Sequence, residues 1–392
     1  MLPPTRCKPA ITTVSLGQAG LHDIRYKLRE VARNGFEAIE LFYDDLEALA
    51  RKQSGSANPS REEIQKAARE IRDICQHLRL TVLNLQPFRF YEGLADRKER
   101  DRILDEVLPT WFDVVHILGT DTILIPSNFL PPDPVTGAAR TVGDLDVIVD
   151  DLRAIADRGA KEPRTVKFAY EALAWGTHVN TWEQAWEIVQ LVNRPNLGLA
   201  IDTFNVAGAI YADPTTPSGT TGESARANLL ASLQRMATTV DLSKLFIVQI
   251  VDAERLESPL QRGHPFYVEG QPSRMSWSRN CRLFLCEDER GGYLPVVEIL
   301  QTLLNMGWDG WLAYEVFSRT LADPSPETPA EHAARAVRSW RRLRAALMLP
   351  KQYIPFGHLE APSTNEKLGR VLNKKHRNVK LETIRTRVQL PA

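Results

Sequence analysis

Short apolar runs of five or six residues alternate along this chain with longer stretches whose apolar positions recur at helical spacing. Ala10-Ile11-Thr12-Thr13-Val14-Ser15 reads as a first strand. A helical pattern follows over about 24–33 and is closed by Gly35, a residue type suited to the end of a helix. Ala38-Ile39-Glu40-Leu41-Phe42 reads as a second strand and 60–78 as a helix, with Glu62, Glu63 and Ala67 supporting its start. Thr81-Val82-Leu83-Asn84-Leu85 and Asp121-Thr122-Ile123-Leu124-Ile125 follow as strands three and four, with helices near 98–118 and 142–159. Val166–Glu171, Leu197–Asp202, Leu245–Gln249 and Gly310–Glu315 complete a set of eight, interleaved with helices near 181–193, 222–238, 293–306 and 330–346.

Strands that alternate with helices imply parallel β-α-β units, and eight such units imply closure into a (β/α)8 TIM barrel of α/β class. An open doubly wound sheet is the alternative, and as a nucleotide binder it needs a glycine-rich phosphate turn after its first strand. Ser15-Leu16-Gly17-Gln18-Ala19-Gly20 imitates that turn only weakly. The barrel is therefore expected to occupy 1–349. Two segments break the rhythm. One is a connection of about 40 residues after strand seven, Asp252 to Gly292, longer than barrel connections usually are and of the kind that forms binding loops. The other is the segment 350–392, whose part from Thr364 onward carries eight Lys/Arg against Glu366 and Glu382, and which reads as a solvated basic tail, partly disordered.

Composition narrows the function classes. Hydrophobic residues make up 43%, enough for a large core, and 49 basic residues balance 49 acidic ones, so no overall charge draws the chain to nucleic acid or to a membrane surface. No uninterrupted apolar stretch is long enough to span a bilayer, and the start is not that of a secretory signal. Cys7, Cys75, Cys281 and Cys286 are sparse and lack paired spacing, which fits free thiols in a reducing, cytoplasmic setting. A small-molecule substrate is expected, and the sequence leaves a monomer and a homo-oligomer equally open.

The chemistry gathers at strand ends. Glu171, Asp202, Gln249 and Glu315 close strands five to eight, so in a barrel all four open at its carboxyl-terminal mouth. One such residue alone is more often structural. Four oxygen donors at equivalent strand ends are hard to account for by packing, because a carboxylate beside a buried strand is costly unless paired or metal-bound. Three carboxylates and an amide oxygen form a hard site suited to Mg2+ or Mn2+ rather than zinc. A divalent ion so held acts as a Lewis acid on a carbonyl and favours removal of the adjacent proton, a step shared by isomerisation, epimerisation and β-elimination.

Selection among these falls to the pocket. Met275-Ser276-Trp277-Ser278-Arg279-Asn280-Cys281-Arg282 offers two arginines, suited to bidentate carboxylate recognition, while Trp277 and Phe284 indicate that the segment packs down. Arg89, just after strand three, can enter the same mouth, and Asn128, just past strand four, is a weaker candidate. Of the eight histidines only His178 and His264 fall in loops on that side, and either is equally well an ordinary loop residue.

The segments Tyr170-Glu171-Ala172-Leu173-Ala174-Trp175, Ile201-Asp202-Thr203-Phe204-Asn205, Val248-Gln249-Ile250-Val251-Asp252-Ala253 and Met275-Ser276-Trp277-Ser278-Arg279 resemble the fungal 3-dehydroshikimate dehydratases of quinate catabolism, members of the xylose-isomerase-like barrel superfamily. The resemblance spans about 10–345. It implies a divalent metal on Glu171, Asp202, Gln249 and Glu315, and a substrate carboxylate held by Ser278 and Arg282. It also implies dehydration of 3-dehydroshikimate to protocatechuate. Bacterial relatives carry Asp-Ser-Phe-His, whose histidine is a proposed acid or base. Asn205 stands at that position here and takes no proton at neutral pH, so another group such as His178 would serve. A sugar or ketose isomerase or epimerase is the nearest rival, but such enzymes usually place histidine where Gln249 stands, and a diverged lyase on another hydroxy-keto acid is the other enzymatic alternative. A barrel that has lost turnover and serves as a binding protein is the non-enzymatic rival, and four intact strand-end donors speak against it.

Overall fold

Every one of the eight apolar runs lies in the wall of one closed parallel barrel. The strands are β1 (Lys8–Thr12), β2 (Ala38–Phe42), β3 (Thr81–Gln86), β4 (Thr122–Pro126), β5 (Lys167–Glu171), β6 (Leu197–Asp202), β7 (Leu245–Ile250) and β8 (Trp311–Tyr314). They pair in chain order, and β8 returns to β1 in register from Lys8↔Trp311 to Ile11↔Tyr314. The computed structural model describes residues 7–347; the basic segment expected at 350–392 lies outside the described residues.

Strand periodicity sorts the barrel interior into layers. Counting back by twos from Glu171, Asp202 and Gln249 reaches Ala169, Ala200 and Ile247, which pack with Leu124 as one buried cluster. Ala10, Ala38 and Ala313 form a second, two residues below Thr12, Glu40 and Glu315. Small apolar side chains thus plug the barrel beneath the mouth, and the polar inward positions fall in the layer above. A water-excluding floor under a polar ring is what a deeply buried ionic site requires.

The helices are α1 (Ile24–Arg33), α2 (Tyr43–Ser54), α3 (Arg61–Leu78), α4 (Arg97–Arg102), α5 (Leu108–Leu118), α6 (Leu145–Ala160), α7 (Trp182–Val192), α8 (Thr203–Ile210), α9 (Ala225–Thr239), α10 (Ser273–Cys281), α11 (Val296–Met306) and α12 (Thr328–Ala346). The start of α3 is a capping box: the Ser60 hydroxyl accepts from Glu63 N, and the Glu63 carboxylate accepts from Ser60 N. Thr181 and Gln184 do the same for α7. Asp144 caps α6 through the amides of Asp146 and Val147, which moves its start to Leu145 from the expected 142. None of the described helices is long and apolar enough to cross a membrane.

Three departures from the sequence reading bear on the site. The first strand ends at Thr12 rather than Ser15, because side chains replace the ladder there: Thr13 Oγ1 accepts from Phe42 N, and Ser15 Oγ bonds Tyr314 O and Val316 N. Helices α2 and α8 begin immediately at the ends of β2 and β6, with no loop. Third, the long connection after β7 is structured. It contains α10, and its residues Asp252–Ala253 pair antiparallel with Arg282–Leu283.

Candidate active site

The strand-end donors come together at the mouth. One oxygen from each of Glu171, Asp202 and Glu315 lies within 4.8 Å of the others, and all three side chains are buried. Asp202 does two jobs, because β6 runs straight into α8. Its Oδ1 caps that helix by accepting from Phe204 N at 2.9 Å, while Oδ2 faces the cluster. Asn205 follows at i+3, one helical turn on, which places it beside Asp202. Its amide donates to Glu171 Oε1 at 2.7 Å and to Asp202 Oδ2 at 3.1 Å, and its own oxygen accepts from Ala174 N. The residue that lacks a titrating proton therefore spaces two carboxylates and ties them to the loop after β5.

Gln249 joins from β7. Its Nε2 donates to Glu40 Oε2 at 2.8 Å and to Glu315 Oε1 at 3.2 Å. Its Oε1 is buried with no hydrogen-bond partner. An orphaned acceptor in a buried carboxylate cluster costs free energy unless a cation completes it.

Arg282 reaches the cluster from the far end of the long connection. The strand pairing of 282–283 with 252–253 and the bond from Arg282 N to Phe317 O lay it across the mouth. Nη1 donates to Asp202 Oδ2 at 2.8 Å and to Glu315 Oε2 at 3.0 Å, Nε donates to Ser278 Oγ at 2.9 Å, and none of these bonds uses Nη2. The guanidinium lies over the rings of both Phe204 and Phe317, 4.4 and 5.1 Å from their centroids.

The connection that carries it is braced rather than loose. Trp277 is fully buried, which contributes on the order of 4–6 kcal/mol as an upper bound from the area of an indole. Arg335 of α12 holds Glu287 through two bonds of 2.8 and 2.7 Å, and Asp252 accepts from the amides of Ala253, Tyr293 and Leu294.

Charge is out of balance here. Glu40, Glu171, Asp202 and Glu315 are all buried around one guanidinium. Burial, then repulsion from Glu315 and Asp202, pushes Glu171 well above the usual carboxylate range. Burial pushes Glu315 up to about 8, against the pull of Arg282, and raises Asp202 and Glu40 as well. Excess negative charge, all-oxygen donors and the orphaned Gln249 Oε1 fit a hard divalent cation, with Glu171, Asp202, Gln249 and Glu315 as the residues able to hold it.

Arg89 sits at the rim, over the ring of Phe42 at 5.3 Å and 3.3 Å from Asp44. Phe42 in turn packs on Phe317, so Arg89 and Arg282 flank one aromatic pair. Arg279 is near enough to Arg89 that burial and that like charge lower it to about 10. Asn128 is committed elsewhere: it donates to Glu92 O in the connection after β3 and accepts from Leu130 N in its own loop, so its amide is not presented to the cluster. His178 bonds Thr141 Oγ1 at 3.0 Å and abuts Gly143, where a Cβ would lie 2.7 Å from the ring. The hydrogen bonds of His178 do not reach the carboxylates. His264 accepts from Phe266 N within the long connection, and burial lowers it.

Glu40, Asn84, Gln86 and Thr12 were missed in the sequence reading, and Glu40 did leave a signal. A charged residue flanked on both sides by apolar neighbours, in a short strand buried throughout, has to face a polar interior.

Residues 28–342 match the family described as xylose isomerase-like TIM barrel. The chain is 46% identical over 350 residues to a 3-dehydroshikimate dehydratase of Neurospora crassa, an alignment covering 88% of this chain and 95% of that one. It is 32% identical over 309 residues to a 3-dehydroshikimate dehydratase of Pseudomonas aeruginosa, covering 79% of this chain and 38% of that longer protein. Among solved structures, a fusion protein of a xylose isomerase-like TIM barrel and a 4-hydroxyphenylpyruvate dioxygenase superposes with a TM-score of 0.62 at 27% identity. That match covers 88% of this chain and 44% of the fusion.

Proposed function

This chain belongs to the xylose isomerase-like TIM barrel family, and from that premise we propose that it is a 3-dehydroshikimate dehydratase, a carbon–oxygen lyase that converts 3-dehydroshikimate to protocatechuate. The observation that carries the reading is the 46% identity over 95% of the Neurospora enzyme, in a chain whose strand ends bring three carboxylates within 4.8 Å.

Glu171, Asp202, Gln249 and Glu315 would hold a Mg2+ or Mn2+ ion. When bound, such an ion supplies Lewis-acid stabilisation of negative charge developing on the substrate's C3 carbonyl oxygen. The chain's own residues do the rest. Ser278 and Arg282 hold the substrate carboxylate, with Nη2 of Arg282 free of the bonds that tie Nη1 and Nε to the site. Arg89, at the rim, adds positive charge at the entrance. Phe204, Phe317 and Phe42 exclude water around the guanidinium, which strengthens its pull on an anion. Asn205 keeps Glu171 and Asp202 apart at fixed distances, so that neither swings into the other.

The proton leaves C4, beside the C3 carbonyl, and the C5 hydroxyl departs with a proton as water. Tautomerisation then yields the aromatic ring. With His178 bonded to Thr141 instead, the C4 proton falls to a mouth carboxylate. Glu171 is the candidate on geometry: its Oε1 accepts from Asn205, and Arg282 bonds Asp202 and Glu315 instead.

The test is protocatechuate absorbance on adding 3-dehydroshikimate to EDTA-stripped protein, before and after Mg2+ or Mn2+ is restored. Product that depends on metal is expected. Absence of product with either ion overturns the reading.

A further inference from the structure

Gln249 is an unusual donor because an amide has two ends, an oxygen that can serve a cation and an NH2 that repels one. Something has to decide which end faces the carboxylate trio. The structure assigns that decision to Glu40, and we propose that Glu40 is a positioning residue for metal binding that acts through Gln249; the inference rests on the metal-site reading above. The carboxylate of Glu40 accepts from Gln249 Nε2 at 2.8 Å, with both of its oxygens taken up as acceptors, so the amide oxygen of Gln249 is turned away from it. Glu315 Oε1 asks for the same end at 3.2 Å. The oxygen is left buried and without a partner.

Glu40 cannot yield. Its Oε2 also accepts from Thr12 Oγ1 and Gln86 Nε2, and its Oε1 accepts from Asn84 Nδ2, each at 2.8 Å. Three donors from β1 and β3 pin the carboxylate from behind, and the fourth bond orients the ligand in front. Partners of this kind behind a metal ligand commonly set affinity by 10- to 100-fold.

The test is a double-mutant cycle read as Mn2+ affinity by calorimetry, with thermal melts of each protein alongside: wild type, Glu40→Gln, Gln249→Ala and the pair combined. Glutamine at 40 has the same shape but offers a donor as well as an acceptor, which lets the Gln249 amide turn over. Glu40→Gln is expected to weaken Mn2+ binding on the order of 10- to 100-fold. In the Gln249→Ala background the same change is expected to cost less than about threefold, since the residue it acts through is gone. Equal losses in both backgrounds would mean that Glu40 contributes only its charge, and would overturn the proposal, as would an unchanged affinity in Glu40→Gln. Wild type that binds no Mn2+ overturns the metal-site reading itself, an outcome distinct from either. Should Glu40→Gln not fold, Thr12→Val removes one of the pinning donors without touching a ligand. It is expected to give a smaller loss that likewise vanishes with Gln249→Ala.

Discussion

Arg282 and Asp202 form a buried ion pair, Nη1 to Oδ2 at 2.8 Å, with neither side chain more than 1% exposed. Eighty residues separate them, and the contact exists because the connection after β7 folds back through its own two-residue strand. A guanidinium buried among several carboxylates is stabilised chiefly by what would be left if it were removed.

Arg282→Ala should therefore destabilise the metal-free protein by about 3–5 kcal/mol, the usual cost of stranding a buried charge. Saturating Mn2+ should recover part of it, about 2.7 kcal/mol at 100 times the dissociation constant. Paired thermal melts with EDTA and with Mn2+ check this. The same variant should raise KM for 3-dehydroshikimate strongly, and an unchanged KM removes Arg282 from carboxylate recognition.

Glu315→Gln and Asp202→Asn keep the shapes of their parents and remove one negative charge each. Metal-dependent product formation should fall to background in both while the far-ultraviolet circular dichroism stays that of the barrel. Wild-type turnover in either variant would sink the assignment of the metal ligands.

The buried carboxyls make the metal-free protein sensitive to base. Glu315 is raised from its ordinary 4.5 to about 8, and Glu171 and Asp202 are raised too, by burial first. A raised acid binds its proton more tightly folded than unfolded, so its stabilising contribution is whole below about 4.5 and is lost as pH climbs toward 8. EDTA-treated protein should melt lower at pH 8 than at pH 5.5, and added Mn2+ should raise the melting temperature more at the higher pH, where its ligands are deprotonated. The opposite trend would show that these groups are not carried protonated by the fold.

Asn205 and His178 should part company. Asn205→Ala removes both bonds that space Glu171 and Asp202 and should weaken Mn2+ binding roughly 10- to 100-fold. His178→Ala, which loses a bond to Thr141, should leave kcat/KM within about twofold; a larger fall would return the base to His178.

The amino-acid sequence by itself determined the barrel and four of its mouth residues, because both follow from local rules. Alternating strand and helix patterns dictate parallel units, and a polar residue closing an apolar run marks the strand's end, so Glu171, Asp202, Gln249 and Glu315 were legible one strand at a time. Only the tertiary structure decided what surrounds them. Arg282 meets Asp202, and Glu40 meets Gln249, across 80 and 209 residues of chain. Strand register and the returning connection set both meetings, and no local periodicity records either one. Asn128 and His178 show the converse. Their positions in the chain suited the mouth, yet Glu92 with Leu130 holds Asn128, and Thr141 holds His178, each bond to Glu92 or Thr141 reaching across from the preceding connection. Which partner a polar side chain takes is a contest among all groups within reach, and reach is a property of the folded chain.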